Sequence, residues 1–275
     1  LNAYTIVFAA LLVPAGKFAD RLGHKRAFLA GSALFTLSSV ACGLAPSAGI
    51  LIAFRVVQAV GAATLIPSSL ALLLRAFPPA RVPFAVAIWG ASGAVAGALG
   101  PTLGAILVEA ASWRWVFFIN LPIGLFTVFA GRRVLHESKD ETATVPAPLG
   151  VALIALAAGL VSLGLVQSES WGWTDIRTIG CILGGLAVLA VFVAHQRSTP
   201  APALNMELFA INNFSWGNAA TFAFGTAFTA MFFSSILFLT EVWQYSILQA
   251  GFAVAPGPAL VAVLAPFMGN LAGRI

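Results

Sequence analysis

The sequence predicts an all-α protein that crosses a membrane many times. Of its 275 residues, 60% are hydrophobic and only 8% are charged, and the mean hydropathy is +0.98. A water-soluble domain carries about 25% charged residues, because its surface must face water. Long apolar runs recur between short charged segments, and about 20 apolar residues in a helix cross the hydrocarbon core. Lipid is therefore the expected solvent for most of the chain.

Nine apolar runs are long enough to be membrane spans. Helices are expected for all of them, because a helix satisfies its backbone hydrogen bonds within its own segment. The chain starts at Leu1, without Met and inside the first run, so we expect its natural N-terminus to lie upstream. The predicted spans are 2–16, 27–44, 50–74, 84–108, 115–131, 149–166, 178–194, 214–239 and 250–272.

The basic residues indicate which loops face the cytoplasm, where Lys and Arg are enriched. The opposite loops hold only Arg114 and Arg177, whereas alternate loops hold most of the 14 lysines and arginines. The loop at 16–26 is therefore predicted to be cytoplasmic. The residues on its side are Lys17, Arg21, Lys25, Arg26, Arg75, Arg81, Arg132, Arg133, Lys139, Arg197 and Arg274.

Several classes of function are not expected. The net charge is +5, but the basic residues are scattered among loops and form no nucleic-acid-binding face. Cys42 and Cys181 lie inside apolar runs without the spacing of a zinc site or redox pair, so they are interpreted as small buried hydrophobes. No phosphate-binding glycine loop is present. His24, His136 and His195 lie at loops or span ends, so neither a metal site nor an enzyme is expected.

The first loop carries the most specific motif, since residues 16–26 read GKFADRLGHKR. A basic cytoplasmic turn would account for its charge alone. The order resembles the G-x-L-A-D-R-x-G-x-K-R signature of the major facilitator superfamily, from which only Phe18 departs. The resemblance implies that the signature positions take part in the conformational change of transport. These positions are Gly16, Asp20, Arg21, Gly23, Lys25 and Arg26.

A degenerate second copy runs from Gly269 to Arg274, as expected for a fold made of two related halves. The copies are eight spans apart, whereas six separate them in a twelve-helix member. This resembles the fourteen-helix branch, in which 149–166 and 178–194 are the inserted pair. The chain then covers helices two to ten, without helix one and helices eleven to fourteen, and alone it is expected not to transport.

The third span contains Arg55 and Gln58. A charged residue in a membrane helix costs about 2.5–3.5 kcal/mol on insertion scales, so it usually has a function or a partner. Alternatively, Arg55 could extend to the outer headgroups. The segment resembles the family's R-x-x-Q-G-x-G-A signature, with Ala59 in place of a glycine. The resemblance implies a role for Arg55 and Gln58 in proton coupling.

The fourth span carries glycines on one face, within an arc of about 80° at 100° per residue. Such a face lets a neighbouring helix approach closely, and ordinary helix packing would explain it equally. The spacing resembles the superfamily's antiporter signature, with Ala105 where a final glycine is usual. The residues are Gly90, Gly93, Gly97, Gly100, Pro101 and Gly104.

Residues 113–124 read WRWVFFINLPIG, which is similar to a stretch of the fourteen-helix drug exporters. Asn120 within it and Trp89 are candidates for the wall of a substrate cavity. Trp89 could instead be an interfacial anchor, because Trp prefers the headgroup level.

The resemblance implies a secondary transporter that exports drugs or other lipophilic compounds across the bacterial cytoplasmic membrane by proton antiport. We expect the protein to be a monomer in the bilayer. We expect neither a cofactor, beyond the proton gradient that drives transport, nor a nucleic-acid partner. Alternatives are a transporter of another solute or a non-transporting membrane scaffold. No acid lies at mid-membrane; Glu109 and Glu241 lie at outer ends. Either Glu109 or Glu241 carries the proton, or the carboxylate lies on helix one, which is favoured because the resemblance to the fourteen-helix exporters implies an acid there.

The domain organisation follows from the same resemblance. A charged, proline-containing connector separates the first bundle from the inserted pair. The segment after that pair could be a short interfacial helix or a solvated linker. The predicted divisions are an N-terminal bundle at 1–134, the connector at 135–148, the inserted pair at 149–196, a linker at 197–213 and the start of a C-terminal bundle at 214–275.

Overall fold

The fold was obtained as a computed structural model that describes residues 2–139 and 147–272. Helices dominate, and the described residues include no β-strand. The α-helices are α1 Asn2–Leu22, α2 His24–Gly43, α3 Ala48–Ala76, α4 Val82–Ala110, α5 Trp115–Phe118, α6 Asn120–Val134, α7 Pro148–Trp171, α8 Ile176–Ser198, α9 Asn212–Leu237, α10 Ile247–Val254 and α11 Pro256–Ala272.

Nine segments of the described chain are long and apolar enough to cross a membrane, with α5–α6 and α10–α11 each counting as one. They coincide in number and order with the predicted spans, so the all-α membrane fold is confirmed. Several helices are longer than their apolar runs. Helix α7, for example, continues past 166 to Trp171, because a helix can extend its polar end into the headgroup region.

Large and small side chains are distributed as lipid requires. Many large hydrophobic side chains lie on the outside, including Phe126 and Phe222, which are 73% and 78% exposed. The buried hydrophobic positions are mostly alanines, such as Ala59 and Ala63. Small residues inside let helix backbones approach each other where no hydrophobic effect drives association.

The chain divides into two compact units. The first comprises Leu1–Leu72 and Phe117–Met206, and the second comprises Leu73–Val116 and Glu207–Ile275. In the first, α7 packs on α8 and α1, and α2 packs on α6. In the second, α4 packs on α10 and α11. The predicted domain boundaries concern the halves of a complete transporter and stay a prediction.

The segment predicted as an inserted pair forms a helical hairpin in the first unit. Gly172, with a φ of 95°, ends α7, and Asp175 caps α8 by accepting a hydrogen bond from the Arg177 backbone N–H at 2.7 Å. A Cβ at Gly185 would lie 3.0 Å from the carbonyl oxygen of Ala157. Glycine therefore permits the close packing of α7 on α8.

The linker after the hairpin is mostly irregular. Its regular structure within 199–211 is the short 3₁₀ turn Met206–Ala210. The buried Gln196 holds its first part by accepting a hydrogen bond from the Ala203 backbone N–H at 2.6 Å. Instead of an interfacial helix, the described linker therefore contains a single helical turn.

Helix α2 crosses α3 at two glycines. A Cβ at Gly61 would lie 2.7 Å from the backbone nitrogen of Phe35, and one at Gly31 would lie 3.0 Å from the carbonyl oxygen of Gly61. Both neighbouring atoms belong to the backbone, so no flexible side chain can move aside. Only glycine fits this crossing without separating the helices.

We expect Gly61→Ala to destabilise the chain by about 1–3 kcal/mol, the usual cost of overpacking a core. The midpoint of heat-induced aggregation in detergent should fall by several degrees. Gly184→Ala is the matched control, because a Cβ at Gly184 on α8 would have no neighbour within 4 Å. Equal midpoints for the two variants would contradict a tight α2–α3 crossing.

Candidate functional site

Arg55 on α3 points into the interior of the first unit. Its Nη1 donates a hydrogen bond of 2.7 Å to Oε1 of Gln58. Its Cζ lies 3.9 Å from the centroid of the Tyr4 ring on α1 and 5.9 Å from that of Phe117 on α5. The expectation of a partner for Arg55 is confirmed, and its side chain faces the protein and does not extend to the outer headgroups.

The surroundings of Arg55 are polarisable rather than acidic. Gln58 is 1% exposed, and its Oε1 also lies 4.0 Å from Sγ of Cys42. A desolvated cation–π contact contributes about 2 kcal/mol and a hydrogen bond to a charged group about 1.5–3 kcal/mol. Together these contacts offset the insertion cost of the charge.

One atom of Arg55 is left without a partner. Its Nε is buried and makes no hydrogen bond, and no acid forms a salt bridge with Arg55 in the part of the chain that the structure describes. The guanidinium therefore keeps a donor and a full positive charge inside the helical unit. This arrangement suits an incoming anionic group.

Asn120 is connected by hydrogen bonds to the residues next to Arg55. Its Nδ2 donates a hydrogen bond of 3.0 Å to Oγ of Ser39 on α2. Ser39, fully buried, donates in turn to the carbonyl oxygen of Phe117 at 2.9 Å. Asn120 therefore positions the residue whose ring faces Arg55.

Tyr4 and Ser39 were not among the predicted site residues. Tyr4 is one of only two tyrosines in the sequence and lies in an apolar run, which is the one signal that could have drawn attention to it. Trp89, the other cavity candidate, belongs to α4 in the second unit and is partly exposed. The structure therefore assigns the two cavity candidates to different units.

Glu137, just after α6, is bound by the signature loop. Its Oε1 accepts hydrogen bonds of 3.0 Å from the backbone N–H groups of Lys25 and Ser138, and its Oε2 lies 3.6 Å from Nε of Arg26. Gly23 between α1 and α2 has a φ of 103°, which favours glycine, and a Cβ there would clash with the Glu137 carboxylate. Glu137 thus caps the start of α2 from a distant part of the sequence.

The carboxylate of Asp20 has local partners. It lies 3.9 Å from Nζ of Lys17 and 3.5 Å from Nε2 of His24. Arg26 instead contacts Glu137, because the start of α2 directs it toward the segment after α6.

Two other signature positions lie on α1. Arg21 lies in its last turn, where a cation complements the helix dipole. Gly16 makes an ordinary packing contact, since a Cβ there would lie 3.5 Å from Cβ of Pro67 on α3. In the second copy, Gly269 approaches the start of α4 closely, whereas Gly273 and Arg274 lie outside the described residues.

The predicted close approach at the glycine face of α4 is wrong for this chain. Beyond the neighbouring residues of α4 itself, a Cβ at any of its glycines would meet no atom of the described chain within 4 Å. Helix α4 instead packs through Phe84, Ala87 and Thr102, which approach Gly269 and Gly251 of α11 and α10. This packed face is roughly 130° around the helix from the glycines. The open positions are Gly90, Gly93, Gly97, Gly100 and Gly104, with Pro101 within the helix.

Acidic and metal-binding groups are sparse where the structure is described. Glu109 lies in the last turn of α4 and Glu241 in a π-helical turn after α9. No cluster of three or more His, Cys, Asp or Glu that could hold a metal ion occurs in residues 2–139 and 147–272.

The cap on α2 leads to a direct prediction. We expect Glu137→Ala to speed amide hydrogen exchange about fivefold in the first turns of α2, because loss of a helix cap costs about 1 kcal/mol. Mass spectrometry of a peptide covering 24–30 would measure this rate. Glu169→Ala, at the end of α7, is the control. Unchanged exchange in Glu137→Ala would show that the contact does not stabilise α2.

Comparison with known proteins identifies the family that the chain matches. The model of the Major Facilitator Superfamily matches residues 1–275. The chain is 32% identical over 274 residues to the tetracenomycin C resistance and export protein of Streptomyces glaucescens, covering 99% of this chain and 51% of that protein. It is 34% identical to the multidrug resistance protein Stp of Mycobacterium tuberculosis, with the same coverage, and 37% identical to the cephamycin export protein CmcT of Amycolatopsis lactamdurans, covering 96% and 55%.

The chain thus spans about half the length of the curated relatives it matches. The nine candidate spans found in the described residues agree with the match along the whole sequence. The chain belongs to the major facilitator superfamily.

Proposed function

We propose that the protein containing this chain exports drugs or other lipophilic compounds across the bacterial cytoplasmic membrane in exchange for protons. Membership of a transporter family and relatives named for resistance and export support this activity. The observation that carries the proton-coupling part is the half-buried cluster of Arg55 and Tyr4 around the buried Gln58.

Antiport needs a group that holds a proton in one state of the transporter and loses it in the other. Arg55 can serve such a group as a charge-sensing partner. An ionised carboxylate near its Nε would be held by a charge-assisted hydrogen bond, whereas a protonated one would be released. We place this carboxylate outside the described residues, because none of the acids described forms a salt bridge with Arg55.

Gln58 and Tyr4 stabilise the Arg55 charge after the carboxylate has been released. When the carboxylate is protonated, the Arg55 charge stays desolvated, and an isolated buried charge would be very unfavourable. The amide oxygen of Gln58 at 2.7 Å and the π face of Tyr4 at 3.9 Å stay in contact with it. Arg55 can therefore alternate between having and lacking an anionic partner without leaving its position.

The signature loop would couple this event to movement on the cytoplasmic side. Its Gly23, Lys25 and Arg26 hold Glu137, so the loop between α1 and α2 and the segment after α6 move together. We propose that the exporter functions as a monomer, with this loop in the cytoplasm and with protons and lipophilic compounds as its only ligands.

We expect Arg55→Ala in the complete transporter to reduce proton-driven export at least tenfold. Everted membrane vesicles, energised by an imposed pH gradient, would report uptake of ethidium as a probe. Arg55→Lys tests the geometry: Lys keeps the charge but lacks the planar fork that can contact Tyr4 and Gln58 at once. We expect it to retain only part of the activity.

The control for both variants is Arg177→Ala, which removes a largely exposed arginine at the start of α8. Its uptake should equal that of the unaltered protein. Full uptake by Arg55→Ala at normal protein levels would contradict the proposed coupling, whereas loss of uptake in all variants would indicate a general loss of folding.

A further inference from the structure

The span that contains α5 and α6 is interrupted close to Arg55. Helix α5 ends at Phe118 and α6 begins at Asn120. Pro122, in the first turn of α6, has no backbone N–H, so the carbonyl group of Phe118 loses its usual helical partner four residues further on. An interruption of this kind within a membrane span is stabilised by side chains of neighbouring helices, serine and threonine among them.

Ser39 of α2 supplies a side-chain hydroxyl at this interruption. It donates a hydrogen bond of 2.9 Å to the carbonyl oxygen of Phe117 and accepts one of 3.0 Å from Nδ2 of Asn120. A serine hydroxyl carries a single hydrogen. Because the Asn120 amide donates to the oxygen, the serine hydrogen is directed at Phe117. Ser39, which is fully buried, therefore connects the end of α5 to the start of α6.

Close packing on both sides of Ser39 holds α2 against this span. A Cβ at Gly43 would lie 2.6 Å from Cε1 of the Phe118 ring, and a Cβ at Gly124 would clash with the side chain of Thr36. These two contacts fix the distance between α2 and the α5–α6 span without the help of Ser39. Loss of the serine hydroxyl would therefore release the carbonyl group that it holds, while the helices stay in place.

Phe117 links this hydrogen bond to Arg55. The centroid of its ring lies 5.9 Å from Cζ of Arg55, whereas that of the Tyr4 ring lies at 3.9 Å. A cation–π contact is significant within about 6 Å of the ring centroid. The Phe117 contact is therefore at its outer limit, and a small displacement of that ring would remove it, whereas the Tyr4 contact would remain. What holds Phe117 thus decides whether Arg55 is attracted by one ring or by two.

We infer that Ser39, oriented by Asn120, is a positioning residue for proton coupling that acts on Arg55 through Phe117. This inference rests on the proposed function and adds the residues that set the pH at which the coupling site works. Without the second ring, the guanidinium is freer to approach the ionised carboxylate, and a closer opposite charge favours the ionised form. The carboxylate then takes up its proton at a lower pH.

The test measures how export depends on pH. Initial rates of ethidium uptake into everted vesicles containing the complete transporter are recorded while the pH on both sides is varied at a constant pH difference. We expect Ser39→Ala to move the midpoint of this pH profile down by about 0.5 unit, the size expected for loss of a weak cation–π contact. The maximal rate should be largely unchanged. Asn120→Ala should move the midpoint in the same direction by a smaller amount.

Two comparisons separate positioning from a general disturbance of the fold. Ser32→Ala is the matched control, because Ser32 is also a buried serine of α2 but its Oγ makes no hydrogen bond within the described chain. Its midpoint should equal that of the unaltered protein. Phe117→Leu removes the ring and should reproduce the shift of Ser39→Ala. Combining the two changes should produce no further shift, because Ser39 acts through that ring.

The inference is overturned if Ser39→Ala keeps or raises the midpoint, if Ser32→Ala lowers it equally, or if the shifts of Ser39→Ala and Phe117→Leu add. Where Ser39→Ala does not accumulate in the membrane, Asn120→Ala replaces it in the same comparisons. Failure of the inference is distinct from failure of the proposed function. Export that depends on Arg55, with an unchanged midpoint in Ser39→Ala, removes only the inference. Export that is independent of Arg55 removes the proposed coupling and the inference with it.

Discussion

Hydrocarbon cannot hydrogen-bond, and this property of the solvent determines the rest of the structure. Every backbone N–H and C=O in a span must be satisfied within its own helix, which explains why the described chain is a series of helices, with turns and an irregular linker lying between the spans. Lipid also removes the hydrophobic drive for helices to associate. Cohesion must then come from close contact, as at Gly61, where the backbones of α2 and α3 nearly touch.

In the same solvent, each polar group inside a span needs a bonding partner within the protein. Among the described residues, Arg55 is the only basic residue well inside a span, and the partners found for it there are an amide and two aromatic rings instead of an acid. A neutral environment of this kind stabilises the charge without neutralising it. The charge therefore remains able to respond to an anionic group, which a permanent salt bridge would prevent.

Sequence alone could predict the features that depend on composition and local order. The number and sequence of spans follow from apolar length, whereas the assignment of 149–166 and 178–194 as an inserted pair stays a prediction. Contacts between distant segments could not be predicted. Tyr4 and Arg55 are 51 positions apart, and Lys25 and Glu137 are 112 apart, and no periodicity in either segment specifies its partner.

The glycine face of α4 is a second feature whose contacts could not be predicted from the sequence. A row of glycines predicts that something can approach a helix closely, because no Cβ stands in the way, but it does not specify what approaches. In this chain the helix contacts of α4 fall on its other side, at Ala87 and Thr102, and three of the glycines line an open groove opposite phenylalanines of α9. The spacing of the glycines therefore determines which side of α4 lacks Cβ atoms, whereas contacts between distant segments determine which side packs on other helices.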